Sequence, residues 1–130
     1  MIMQNYTASE LVTRNIRQKS IYDWCVEAFA GEDSSPRIRM LRFIEEATEL
    51  AQAHGLSQTE VEYVVSYVFG RPVGEPYQEV GGVMVTLNCY CEAAGISLVD
   101  AEQDEIARVN SKPLEHFQKR QREKTASGLT

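Results

Sequence analysis

Cysteine is scarce in this chain of 130 residues, and the three present, Cys25, Cys89 and Cys91, form no Cys-x-x-Cys pair. That excludes a disulfide framework and a cysteine zinc site, and leads us to expect buried thiols in a reducing cytoplasm. Long apolar runs are also missing; none approaches the ~20 residues that a membrane span needs. The N-terminal Met1-Ile2-Met3-Gln4-Asn5 lacks a basic region followed by an apolar stretch, so neither a signal peptide nor a membrane association is expected. Positive charge is nearly absent from the middle of the chain. Residues 43–107 carry Arg71 alone against twelve acidic residues.

What is present fits one globular domain. Hydrophobic content is 43% and charged content 25%, which excludes wholesale disorder. The net charge of −6 disfavours nucleic-acid binding. Its distribution is uneven: residues 1–42 have six Lys/Arg and five Asp/Glu, and residues 108–130 have six basic and two acidic residues. An acidic middle beside a basic C-terminal segment has two explanations. The two regions attract each other or a partner subunit, or they form a site for both a cation and an anion, such as Mg²⁺ with a polyphosphate.

The patterning predicts an all-α protein: an antiparallel bundle of four to five helices, in a single domain over 1–124 with a polar, frayed tail at 125–130. A first helix is expected over about 8–30, with Leu11, Tyr22, Cys25, Val26 and Phe29 near one stripe. Gly31-Glu32-Asp33-Ser34-Ser35-Pro36 reads as a loop into a second helix, with Ser35 as N-cap and Pro36 in first position. That helix should run to about His54 and close at Gly55, placing Met40, Phe43, Ile44, Ala47, Leu50 and Ala51 on one side. Ser57-x-x-Glu60 is a capping box for a third helix to about Phe69. Glu75-Pro76 opens a fourth, ending near Ala94-Gly95. Asp100 is expected to cap a fifth, and Pro113 to bend or restart it. The fourth helix is apolar nearly all round, which suits the middle of a bundle or a subunit interface.

Glu45-Glu46-Ala47-Thr48-Glu49 is the first feature with candidate chemistry. On a helix its three carboxylates share one sector, where they repel each other unless a cation lies between them. The plainer reading is a solvated acidic face, with Arg42 offsetting Glu45 and Glu46. Glu79 and Glu75 add a second group on the most apolar helix; the plainer reading there is two N-terminal glutamates favoured by the helix dipole. If the two helices pack side by side, these carboxylates form a divalent-metal cage. Gly81 and Gly82 each cost a helix interior ~1 kcal/mol relative to Ala. Close helix packing is their expected use, with approach of a nucleotide as the alternative. Arg108, Asn110, Lys112, Lys119, Arg120 and Lys124 are candidates for phosphate binding, against the simpler reading of solvated helix ends; for Lys124 and Arg122 the solvated reading is preferred.

Arg42-Phe43-Ile44-Glu45-Glu46-Ala47-Thr48-Glu49-Leu50-Ala51-Gln52-Ala53 resembles the first metal helix of the MazG-like all-α nucleoside triphosphate pyrophosphohydrolases. Gln78-Glu79-Val80-Gly81-Gly82-Val83-Met84-Val85-Thr86-Leu87 resembles the second, and Arg108-Val109-Asn110-Ser111-Lys112 follows. The resemblance covers about residues 36–112. It implies Mg²⁺, or Mn²⁺ in its place, held by Glu45, Glu46, Glu49 and Glu79. Position 82, where the family carries an Asp ligand, is Gly82. The spacing from Glu49 to Glu79 is long for the family, and a helix over 58–69 accounts for it.

The resemblance further implies hydrolysis of an NTP or dNTP to the monophosphate and pyrophosphate, by a cytoplasmic homodimer or homotetramer. Glu46 and Glu49 would be catalytic, with ~2 metal ions and a metal-bound or glutamate-oriented water attacking the α-phosphorus. Arg108, Asn110, Lys112 and Lys119 would bind substrate. Trp24, Asn15 and Gln18 are weak candidates for base contacts, packing being preferred for Trp24. The rival reading is a catalytically weakened or inactive relative, either a nucleotide-binding module or a structural helical oligomer. An acidic nucleic-acid mimic is a third reading, disfavoured because the acids fall on helices expected to pack.

Overall fold

The computed structural model describes residues 1–29 and 34–129. These residues form six α-helices and no strand: α1 (Ala8–Ala28), α2 (Pro36–His54), α3 (Gln58–Phe69), α4 (Pro76–Ala94), α5 (Leu98–Asn110) and α6 (Leu114–Ala126). The all-α expectation holds, with one helix more than the upper estimate. Residues 30–33, including Gly31-Glu32-Asp33 of the expected loop, lie outside the described residues.

Local chemistry sets the helix starts. Thr7 and Glu10 form a reciprocal capping box at α1, and Ser57 and Glu60 do the same at α3. Ser35 accepts from the Ile38 amide, with Pro36 opening α2. Pro36 and Pro76 each occupy a first helical position, where the missing N–H has no intrahelical partner to lose. At α5 the cap is Ser97, not Asp100. The Ser97 hydroxyl accepts from the Asp100 amide, and the Asp100 carboxylate sits in the first turn. A hydroxyl three residues before an amide is the standard capping geometry, so Ser97 takes the position the sequence reading gave to Asp100. Pro113 restarts the chain as the N-cap residue of α6. That helix runs to Ala126, two residues into the expected polar tail.

The chain divides into two units, Met1–Ala47 with Pro113–Thr130, and Thr48–Lys112. In the first, α1 packs along α6. Cys25 and Ala28 of α1 and Gln121 of α6 are buried. Trp24 stands edge-on to Phe117 at 4.9 Å and to Phe29 at 6.1 Å, and Arg39 lies over the Phe29 ring at 5.1 Å. Trp24 is therefore a packing residue.

In the second unit Cys91 is buried, and Met84, Leu87 and Tyr90 on the same side of α4 are half-buried. His54, ending α2, shares a 3.2 Å hydrogen bond with the Tyr90 hydroxyl, the two rings meeting edge-on. Cys89 is exposed, so the expectation of buried thiols holds for Cys25 and Cys91 only. Much of the apolar surface is uncovered. The expected α2 stripe of Met40, Phe43, Ile44 and Leu50 is exposed, as are most large side chains of α3. Among the described residues, no single helix is long and apolar enough to cross a membrane.

Gly95 closes α4 at φ +70°, a left-handed conformation in which its N–H bonds back to Cys91 and Glu92 carbonyls. Gly95→Ala should lower stability by ~1 kcal/mol in chemical denaturation, because a Cβ is strained there. Gly81→Ala, at a site with open space in its own chain, should not.

Candidate functional site

The acidic run of α2 falls on a regular helix that crosses from one unit into the other. Its carboxylates do not share one environment. Glu45 is the most enclosed, with a side chain 22% exposed. Its Oε1 accepts from Lys124 Nζ at 3.0 Å and its Oε2 from Arg42 Nη1 at 3.3 Å. Partial burial alone would raise the Glu45 carboxyl. The hydrogen bond and charge of Lys124, followed by those of Arg42, overcome it and hold the group below its ordinary value of 4.5. Both oxygens are thus engaged by cations, so a metal ion would have to displace an ion pair. Lys124 is half-buried in this pair and is not the solvated helix end expected for it.

Arg42 extends the network. Its Nε donates to Gln121 Oε1 at 3.2 Å and its Nη2 to the Leu129 carbonyl at 3.0 Å. The Gln121 amide nitrogen and Arg39 Nε and Nη2 are buried with no hydrogen-bond partner among the described residues. The sequence reading passed over Gln121 and Arg39. The available signal was spacing: Arg39, Arg42 and Glu45 recur at intervals of three on α2, as do Gln121 and Lys124 on α6.

Glu46 and Glu49, one turn apart, are both exposed. Glu79, in the first turn of α4, is also exposed, and its carboxylate lies back over Gly74. Glu75 is the N-cap of α4, its two carboxylate oxygens accepting from the Tyr77 and Gln78 amides at 3.1 and 3.0 Å. Glu75, with both oxygens engaged as a cap, is thus not an open member of the carboxylate cage considered from the sequence. Glu75 at the N-cap and Glu79 in the first turn both occupy positions where the helix dipole favours a carboxylate.

Glu49, Glu79, Arg108, Asn110 and Lys112 belong to the second unit, and Glu45, Glu46 and Lys119 to the first. Asn110 ends α5, and Lys112 follows one residue after the Ser111 C-cap. Arg108 forms a two-point contact with Glu105, at 2.9 and 2.6 Å, which lowers the Glu105 carboxyl; both side chains are more than half exposed. Lys119 is exposed on α6, and Asn15 and Gln18 on α1. Among the described residues, no group of three or more His, Cys, Asp and Glu side chains is gathered closely enough to hold a metal ion. Beyond its neighbours and the backbone of its own helix, a Cβ on Gly81 or Gly82 would meet no described atom within 4 Å, so the close helix packing expected there is not supplied within the single chain.

Comparison with protein-family models, characterised proteins and solved structures gives no match.

Because folding holds the Glu45 carboxyl below its ordinary value, its contribution to stability is present above about pH 4.5 and is lost as pH falls through the folded value. Lys124→Met should therefore lower the melting temperature at pH 7 by the equivalent of ~0.2–1 kcal/mol. The difference from the parent should close as the pH is lowered past that range. Thermal melts of both proteins across a pH series check this.

Proposed function

We propose that the protein is a Mg²⁺-dependent nucleoside triphosphate pyrophosphohydrolase of MazG-like helical-bundle type, acting as a cytoplasmic homodimer or homotetramer. The observation that carries the reading is the placement of Glu46 and Glu49 on successive turns of one exposed face of α2. Hard carboxylate oxygens at that spacing suit Mg²⁺ or Mn²⁺, which leave coordination positions for phosphate. Glu79 supplies a third carboxylate from the start of α4. Glu45, held by Lys124 and Arg42, orients this stretch of α2 more readily than it binds metal.

Bound magnesium would neutralise charge on the phosphate oxygens. Glu49 or Glu46 would orient a water and take its proton as the water oxygen bonds to the α-phosphorus. The bond from the α-phosphorus to the bridging oxygen breaks, and the pyrophosphate leaves. Lys112, with Arg108 or Lys119, would meet its negative charge. Asn110 would donate a neutral hydrogen bond to the phosphates. Gly82, in place of a carboxylate, favours a second reading: a weakened or inactive relative that binds nucleotide or serves as a structural oligomer.

Glu49→Gln keeps the shape of the side chain and removes its charge. Pyrophosphate release from a panel of triphosphates in Mg²⁺ should fall by at least ~100-fold, with the helical circular-dichroism spectrum unchanged. Release at the parental rate would reject the catalytic role of this carboxylate.

A Cβ at Gly74 would collide with Glu79 Oε1 and come within 3.0 Å of Glu79 Cδ, so Gly74→Ala must swing the Glu79 carboxylate away. The moving atoms are the end of a flexible side chain, so stability should change by less than ~0.5 kcal/mol. Pyrophosphate release should nevertheless slow by about tenfold if Glu79 must sit where it does, since orienting contacts at metal sites have effects of that size. Assaying release and thermal melting on the same sample separates the two effects.

A further inference from the structure

Helix α3 has twelve residues and buries none of them. Among the described residues, only α1 and α6 pack extensively along each other, and α3 has no such neighbour. An isolated helix of this length is marginal in water. Yet α3 carries Tyr63, Val64, Val65, Tyr67, Val68 and Phe69, from 47% to 85% exposed.

Helix α4, in the same unit, has two sides. Met84, Leu87 and Cys91 form the inward one. Gly82, Val85 and Cys89, spaced by three and four residues, form the opposite one, and all are exposed. The space over Gly81 and Gly82 is empty within the chain, although the pair costs the helix ~2 kcal/mol relative to alanines.

Two further features suit these helices to lasting burial. Residues 63–70 and 80–91 contain no charged side chain, and interface cores are depleted of charge and enriched in aromatics. Two polar side chains of α4 donate to the helix itself. Thr86 Oγ1 donates to the Gly82 carbonyl at 2.9 Å, and Asn88 Nδ2 donates to the Met84 carbonyl at 2.8 Å. These side chains can lose water without losing those hydrogen bonds.

The area available is large. The chain exposes 10724 Å². A compact protein of its 14.7 kDa exposes ~6,900 Å², and even two wholly separate compact halves would expose only ~8,400 Å². The surplus, at least ~2,300 Å² over the whole chain, leaves ample room for the ~800 Å² per partner of a standard interface. A membrane is the poorer occupant. The second unit has three Lys/Arg against ten Asp/Glu, and an acidic surface is repelled by anionic lipid.

We propose that α3 and the Gly82/Val85/Cys89 face of α4 form the surface on which a second copy of this chain docks. The proposal gives a location to the self-association read above and does not rest on the catalytic reading. Its test needs no substrate, so either can fail alone.

Sedimentation of the full chain at micromolar concentration should give twice the chain mass or a higher even multiple. Val85→Arg and Gly82→Leu should each weaken association by at least about tenfold. In the unmodified protein, Cys89 should react with a maleimide at least about tenfold more slowly when associated than after unfolding, scored by peptide mass to separate it from Cys25 and Cys91. This measurement stands if either variant fails to fold. A single-chain mass throughout, association unaffected by folded forms of both variants, or Cys89 as reactive as in the unfolded chain would each overturn the proposal. Co-sedimentation of the unmodified protein with neutral phosphatidylcholine vesicles would overturn it in favour of a lipid surface.

Discussion

Arg42 joins parts of the first unit that lie far apart in sequence. One guanidinium reaches Glu45 on its own helix, Gln121 on α6 and the Leu129 carbonyl at the end of the chain. Around it stand Lys124, paired with the same Glu45, and the Trp24–Phe117 contact between α1 and α6. The few buried side chains here are small or polar, Cys25, Ala28 and Gln121, so apolar burial supplies little by itself. A planar fork able to donate in several directions suits such a junction better than the single ammonium of lysine. Removing it would strand the acceptor of a buried Gln121, and the loss of a partner for a buried polar group is what makes such contacts consequential.

The Arg42 junction also divides the acidic run of α2 by burial. Glu45 is drawn into the fold by two cations, while Glu46 and Glu49 are exposed. The positive charge of the C-terminal segment is likewise not all of one kind, since Lys124 is engaged in the fold and Lys119 is exposed. Charge segregation along the sequence thus has a structural part, in Lys124 and Glu45. Among the candidates for phosphate binding, Asn110, Lys112, Lys119 and Arg120 are exposed, and Arg108 is shared with Glu105.

The helix boundaries were legible because their determinants are local. Ser35-Pro36, Ser57-x-x-Glu60, Pro76, Gly55 and Gly95 act within a few residues of themselves. The error at α5 was local too: Ser97 and Asp100 are both good caps, and the sequence alone did not rank them. What was not legible is the pairing of side chains far apart in sequence. Gln121 and Lys124 look like solvated positions until α6 is set beside α2. The interior promised by the apolar pattern of α4 is only partly supplied by this chain. Composition states that Val80 and Val85 want cover, not whether the same molecule provides it. For the candidate site, the sequence identified exposed carboxylates on α2 and α4 but did not distinguish those already engaged, Glu45 and Glu75, from Glu49.

Five of the six helices begin with a side-chain oxygen, on Thr7, Ser35, Ser57, Glu75 or Ser97, that accepts from an amide two or three residues ahead. α6 begins at Pro113 without one. On a ribosome, α1 to α5 can therefore start to coil as they emerge, each from its own few residues. α6 follows them in chain order and must find Arg42, Glu45 and Trp24, which leave the tunnel well before it. Contacts of small sequence separation form early and those of large separation late. The first unit thus waits on α6: until that helix has emerged, the unit has its other helices but not the clasp that closes them.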